Sequence, residues 1–177
     1  MIAATQSLLA EHGIEGTTVD AVAKRSGVAK TTIYRHFQTG NELLVYVLAC
    51  QIEPIEAPNT GTFEQDLLAM LTTMSRMLDD PALARMVLDM TSAATRDPEL
   101  AAVKDAMIAE RHRSLEEIVL RAMDRGDIPP VRVEEAVRFI EGPFAGRLMM
   151  NVGPMTPEEL RRLARRLVEG LRADPKT

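Results

Sequence analysis

The sequence predicts an all-α protein, and three observations predict it. Apolar residues recur at steps of three and four along the 177 residues, the period of a helix with one buried face. Gly and Pro mark the breaks between these runs, and no stretch alternates apolar and polar residues as a half-buried strand would. Helix starts carry their own signatures: Thr39-x-x-Glu42 and Thr156-x-x-Glu159 are capping boxes, and Asp97-Pro98-Glu99 puts a cap before a proline at the first helical position. About nine helices follow from these signals. They group into an N-terminal three-helix head and a helical C-terminal body.

Taken in order, the first helix runs from about Ile2 to His12 and closes at Gly13. The second opens at Thr17, with Asp20 three positions on as a variant of the capping box. The third spans about Ala29 to Phe37, and the fourth starts at Thr39 and continues to about Pro54. Glu56-Ala-Pro-Asn-Thr-Gly61 is rich in turn formers and reads as a boundary segment. A fifth helix follows from about Thr62 to Leu78. After a break at Asp79-Asp-Pro81 comes a sixth, to about Ala94. The helix beginning at Pro98 can reach Arg125 before Gly126 and is then the longest. Ile128-Pro-Pro130 stops the chain, and two more helices occupy about Val133 to Asn151 and Thr156 to Leu171. The expected domains are 1–46 for the head and 47–177 for the body.

Within the head, Ala23, Gly27 and Ile33 are spaced as in a helix-turn-helix. Ala23 is small where two short helices cross. Gly27 ends the first of them in a left-handed conformation that side chains with a Cβ resist. Ile33 anchors the second onto the first, at the angle that lets it enter a major groove. With Ile33 and Phe37 turned inward, Lys30, Thr31, Tyr34 and Arg35 face outward, with Thr32 and His36 on the flanks. Threonine offers a hydroxyl to a base edge or a methyl to thymine, and Lys30 can reach guanine acceptors or phosphate.

A net charge of −5 looks wrong for a DNA binder until its distribution is read. Between Thr17 and Asn41 stand Lys24, Arg25, Lys30 and Arg35 against the single acid Asp20, a local +3, while the chain beyond residue 52 is net acidic. A basic end on an acidic body suits docking by that end. The single cysteine, Cys50, excludes an internal disulfide framework, and His12, His36 and His112 are too dispersed for a metal site. His112, in the run Glu110-Arg-His-Arg113, reads as a surface residue. No apolar run approaches the ~20 residues of a membrane span and no signal peptide opens the chain, so a reduced, cytoplasmic protein is expected. No Ser/His/Asp, Cys/His, phosphate-loop or paired-carboxylate constellation points to an enzyme. Glu116-Glu117, Glu134-Glu135 and Glu158-Glu159 read as solvated helix positions. No cofactor is expected.

Leu8-Leu9-Ala-Glu-His-Gly13, Thr17-Thr-Val-Asp20, Gly27-Val-Ala-Lys-Thr-Thr-Ile-Tyr-Arg-His-Phe37 and Asn41-Glu-Leu-Leu44 together closely resemble the N-terminal domain of the TetR family of bacterial transcriptional regulators. The resemblance covers about residues 1 to 50, and its core, Thr-Ile-Tyr-Arg-His-Phe, is particular to that family. It implies that Tyr34 and His36 hold the DNA backbone, and Thr17 or Thr18 adds phosphate contacts at the start of the second helix. Three departures stand out. Gly40 occupies a place where the family often carries Lys, and Ala29 replaces the more usual Ser cap of the recognition helix. The chain also opens on its first helix, without the short basic arm of many relatives. Together they point to weaker non-specific affinity.

Beyond the head, Leu160, Leu163, Ala164, Leu167, Val168 and Leu171 form one stripe opposite Arg161, Arg162, Arg165 and Arg166. The preceding helix carries Val133, Val137, Ile140, Phe144 and Leu148, with Gly142 and Gly146 allowing close approach. The two stripes are expected to form a homodimer interface through Val137, Ile140, Phe144, Leu148, Leu160, Leu163, Leu167 and Leu171. Packing within one chain would use the same residues. The resemblance also implies an effector site in the middle helices. Met70, Met74, Met77, Met86, Met90, Met107 and Met123 recur at helical spacing, and such adaptable side chains suit an apolar pocket or plain core alike. The expected walls are Leu71, Met74, Met86, Met90, Met107, Phe139, Phe144 and Met149, and a small hydrophobic effector fits them. The function expected is a DNA-binding regulator on a near-palindromic operator, a repressor released by its ligand. The alternative is a helical small-molecule carrier or enzyme whose head reads nothing.

Overall fold

A computed structural model describes residues 1–50, 55–150 and 152–173, without the side chains at 77–79 and 82. Among these residues the chain forms nine helices and no strand. They are α1 (Ile2–Gly16), α2 (Val19–Ser26), α3 (Lys30–His36), α4 (Gly40–Ala49), α5 (Phe63–Asp79), α6 (Pro81–Ala93), α7 (Pro98–Asp124), α8 (Val133–Met150) and α9 (Pro157–Ala173). The expected ends of the fourth helix at Pro54 and the eighth at Asn151 lie outside the described residues, as does the Met77 side chain.

The boundaries differ from expectation at α1 and α2. Gly13 does leave helical geometry, at φ 70 and ψ −171, but the chain resumes helix to Gly16 after the kink. A Cβ at 13 would collide with the Asp89 carboxylate. The residue that caps α2 is Thr18, not Thr17: its hydroxyl accepts from the Ala21 N–H at 3.2 Å. Thr39 and Thr156 cap α4 and α9 as the capping signals predict, accepting from the N–H groups of Glu42 and Glu159, and Thr62 caps α5 by accepting from the Gln65 N–H.

Two compact units result, Met1–Glu53 with Pro81–Ile108 and Pro54–Asp80 with Ala109–Thr177. Packing places α6 and the start of α7 with the helix-turn-helix, which a cut along the chain at residue 46 does not express. The reason is apolar: Met86, Met90, Leu100 and Val103 are buried in one cluster with Leu8, Leu9, Val22, Ile33, Leu43 and Val47. In this unit α1 packs on α2, α4 and α6, and α2 packs on α3.

In the second unit α5 packs on α9 and α8 around Phe63, Leu67, Leu71, Leu115, Ile118, Ile140 and Leu167. The segment after residue 54 is strapped to α7 through its own carbonyls. Ser114 donates its hydroxyl to the Ile55 carbonyl, and Arg121 Nη2 donates to the carbonyls of Pro58 at 2.6 Å and Ala57 at 3.3 Å. Further along, Asp66 accepts from the Thr60 hydroxyl at 2.7 Å and Arg125 Nη2 at 2.9 Å. Extended backbone on a helix surface is thereby satisfied without a strand.

Candidate nucleic-acid interface

The turn between α2 and α3 is built as its sequence requires. Gly27 sits at φ 70 and ψ 4, the left-handed region, and its N–H closes α2 on the Ala23 carbonyl at 3.0 Å. A Cβ there would meet no neighbour within 4 Å, so backbone conformation, not crowding, selects glycine. Ala29 caps α3 with its backbone alone and has no side-chain bond to give. Ile33 and Val22 are fully buried against each other's cluster, with Ala23, Val28 and Phe37 half-buried around them. These contacts fix the rotation of α3 about its axis and decide which residues it shows to solvent.

The solvent face carries Lys30, Thr31, Tyr34, Arg35 and His36, all exposed, with Thr32 half-buried beside them. Tyr34 keeps half of its surface in solvent. Thr17 and Thr18 part company. Thr17 is buried, and its hydroxyl donates to the Gly13 carbonyl at 2.7 Å, bracing the α1 kink. That hydroxyl is committed to the fold and is corrected out of the DNA-facing set. Thr18 is exposed, and its hydroxyl proton is free to donate while its oxygen caps α2.

Charge on this face is partly paired. Lys30 Nζ lies 2.7 Å from Asp20 Oδ1, and Arg25 forms a two-pronged pair with Glu11 at 2.5 and 2.6 Å. The hydrogen bonds from Arg25 hold the Glu11 carboxyl below its usual range. Lys24 and Arg35 form no ion pair among the described residues. Gly40 gains a local reason: a Cβ there would stand 3.0 Å from Val19 Cγ2, so a lysine at this place would press on α2.

The other expected sites are dispersed. Of the eight effector-pocket residues, Leu71, Met74 and Phe144 are buried in the cluster of the second unit. Met86 and Met90 are buried in the first, with Met107 packed against them. Phe139 is 47% exposed and Met149 72% exposed, so neither belongs to either core. One surface groove of about 460 Å³ is lined by Glu42, Val45, Ala49, Glu99 and Val103, and another of about 440 Å³ by Arg132, Glu135, Phe139 and Gly170. Only Phe139 among the eight lines either of these two.

The expected dimer stripe is corrected for a related reason. Val137, Ile140, Phe144, Leu160, Leu167 and Leu171 are at most 5% exposed within a single chain. They pack α8 and α9 into their own unit and have no surface left for a partner. Leu148 and Leu163 are half-buried. His112, expected at the surface, is partly buried: its Nε2 lies 2.7 Å from Glu141, which also pairs with Arg111. Glu141, an acid inside an apolar run of α8, was the signal available for that cluster. Asp20 and Lys30 had none, since ten residues and a turn separate them. Among the described residues no group of three His, Cys, Asp or Glu could hold a metal, and no helix is long and apolar enough to cross a membrane.

A short positioning helix, a left-handed glycine turn and a second helix with a buried anchor and a polar, partly cationic outer face define a helix-turn-helix DNA-binding protein. Comparison with known proteins agrees along most of the chain. Residues 1–47 match the family described as bacterial regulatory proteins, tetR family, and residues 57–167 match the tetracyclin repressor-like C-terminal domain. The chain therefore belongs to the TetR family of bacterial transcriptional regulators. An HTH-type transcriptional regulator of Mycobacterium tuberculosis strain H37Rv is 35% identical over 141 residues, covering 76% of this chain and 67% of the relative. YdeS of Bacillus subtilis, also an HTH-type regulator, is 23% identical over 180 residues, covering all of this chain and 90% of YdeS. Among solved structures, the TetR-family regulator SCO0332 superposes with a TM-score of 0.68 at 26% identity, over 96% of this chain and 94% of that one. FadR of Bacillus subtilis in complex with stearoyl-CoA superposes with a TM-score of 0.68 at 20% identity, over 99% of this chain and 97% of FadR.

Proposed function

We propose that this transcriptional regulator is a repressor that reads a near-palindromic operator as a homodimer and leaves it when a small hydrophobic effector binds. The observation that carries the reading is the outer face of α3, where Lys30, Thr31, Tyr34 and Arg35 are exposed around the buried Ile33. Lys30, Thr31 and Thr32 contact base edges; Tyr34, Arg35, His36 and Thr18 hold phosphates. Residues 1–46 carry the DNA-reading function and 47–177 the effector and dimer functions.

Two heads must sit one helical turn apart to share an operator, which calls for a second copy. With the expected stripe buried, the dimer face moves to the outside of α8. Phe139, Gly142, Gly146 and Met149 recur at helical spacing and are all exposed, and a Cβ at either glycine would meet nothing within 4 Å. Met150 and Val152 extend the apolar surface. Two such faces can approach closely at the glycines while the larger side chains interlock.

For the effector, Leu71, Met74 and Phe144 supply soft apolar walls within the second unit. A ligand acts by binding the DNA-incompetent arrangement more tightly, by a few kcal/mol. Because FadR is a structural relative solved with stearoyl-CoA, long-chain acyl-CoA is the first ligand class to try. The test is a titration of acyl-CoA into the protein bound to fluorescently labelled operator. Release at micromolar ligand supports the reading, whereas tight ligand binding with DNA affinity unchanged sinks it.

A further inference from the structure

We propose that Asp20 is a specificity-determining residue of the DNA-reading head, acting with Lys30 as a paired acceptor and donor for one guanine·cytosine pair. The proposal deepens the DNA-reading surface assigned above and rests on it. Lys30 is the first residue of α3, where a recognition helix meets base edges, and its Nζ is held 2.7 Å from Asp20 Oδ1. Both side chains remain more than half exposed. A pair so open to water adds little to the stability of the fold.

Its consequence lies in what meets DNA. Asp20 is the one acid between Thr17 and Asn41, on the face that must approach a polyanion. The contrast with Arg25 is direct: its partner Glu11 belongs to α1, not to the helix-turn-helix. A free lysine is a flexible point charge that finds any phosphate, and such contacts are blind to sequence. Tethered to Asp20, Lys30 loses that freedom, and the carboxylate beside it repels phosphate. The pair instead offers an ammonium donor to guanine O6 and N7 and a carboxylate acceptor to cytosine N4, the pattern one G·C pair presents in the major groove. Asp20 thus exchanges general affinity for discrimination.

The experiment uses the full chain as wild type, Asp20→Asn, Lys30→Met and the double variant. Dissociation constants are measured for a selected operator and for a random duplex of equal length, over a series of salt concentrations. Asp20→Asn is expected to bind the random duplex several-fold tighter and to steepen the log K against log salt slope by about 0.9, one added phosphate contact. The operator-to-random ratio should fall at least about fivefold, and repeated site selection should lose preference at one G·C position. In the Lys30→Met background the same change should alter the ratio less than about twofold, since the partner is gone. Equal weakening of operator and random duplex by Asp20→Asn would overturn the proposal and make Asp20 a mere support of α2. So would an equal loss of ratio with and without Lys30. A wild-type chain with no salt-dependent DNA binding is a different result, because it removes the reading surface itself.

Discussion

Arg125 Nη2 lies 2.9 Å from Oδ2 of Asp66, whose carboxylate has no solvent exposure. Burial pushes the Asp66 carboxyl upward, but hydrogen bonds from the Thr60 N–H and hydroxyl and from Arg125 outweigh it, and the net direction is down. The unfolded chain therefore binds a proton that the folded chain resists, and stability rises with pH across that window. Asp66 contributes fully above its unfolded pKa, near 3.8, and its contribution is lost as pH falls through the lower folded value. Urea unfolding from pH 7 to pH 2.5 should show this loss in the wild type. Asp66→Asn should begin less stable at pH 7 and fall less steeply. Asp66→Ala, which strands Arg125 and Thr60, should cost about 2–4 kcal/mol at pH 7.

On the recognition helix, fold and function separate by face. Ile33→Ala leaves a cavity in a fully buried site and should cost about 2–5 kcal/mol in chemical denaturation. Tyr34→Ala removes a half-exposed ring and should change stability by less than about 0.5 kcal/mol. Its effect should appear in operator affinity, weakened tenfold or more. If Tyr34→Ala instead unfolds the head while binding per folded molecule is unchanged, the assignment of the two faces is inverted.

Adjacent threonines give a sharper test. Thr17→Ala removes a buried hydroxyl bonded to Gly13, so about 1–2 kcal/mol of stability should go with no change in the salt dependence of DNA binding. Thr18→Ala removes the α2 cap, at about 1 kcal/mol, and the proposed phosphate donor as well. Because a hydroxyl carries no charge, Thr18→Ala should weaken operator and random duplex alike with the salt slope unchanged, whereas Thr17→Ala should leave affinity per folded molecule unaltered.

The proposed α8 dimer face allows dimerisation and folding to be tested apart. Met149→Glu places a charge on an exposed apolar face and should leave the melting temperature of the monomer within about 2 °C, as surface changes do. Sedimentation equilibrium should show the dimer weakened at least tenfold, with operator affinity falling alongside it. Ile140→Ala should do the reverse, destabilising the fold by about 2–4 kcal/mol from inside the core.

Much of this molecule was legible in the sequence because the signals are local. Gly27, the Thr39 and Thr156 caps and the long helix from Pro98 depend on neighbours within a few residues; the turn and both caps are in place, and the helix ends at Asp124, one residue short of Arg125. Thr17 and Thr18 show where local reading stops. Either could cap α2, and the choice falls to Thr18 because the Gly13 kink turns its carbonyl toward Thr17, which periodicity does not encode. The apolar stripes of α8 and α9 have the same limit: a pattern reports that a face is buried, not whether a neighbouring helix or a second chain buries it. Methionine spacing likewise marked core positions but not that Met74 and Met86 belong to different units. A pair between helices such as Asp20 with Lys30 has no one-dimensional signature.

Selection of binding sites from random duplex DNA at moderate salt decides whether α3 reads DNA. The expected result is an enriched near-palindrome whose half-sites lie about one helical turn, 34–36 Å, apart, with enrichment lost in Lys30→Ala and Tyr34→Ala. No enrichment from the folded wild-type chain would mean that α3 is not a reader of DNA.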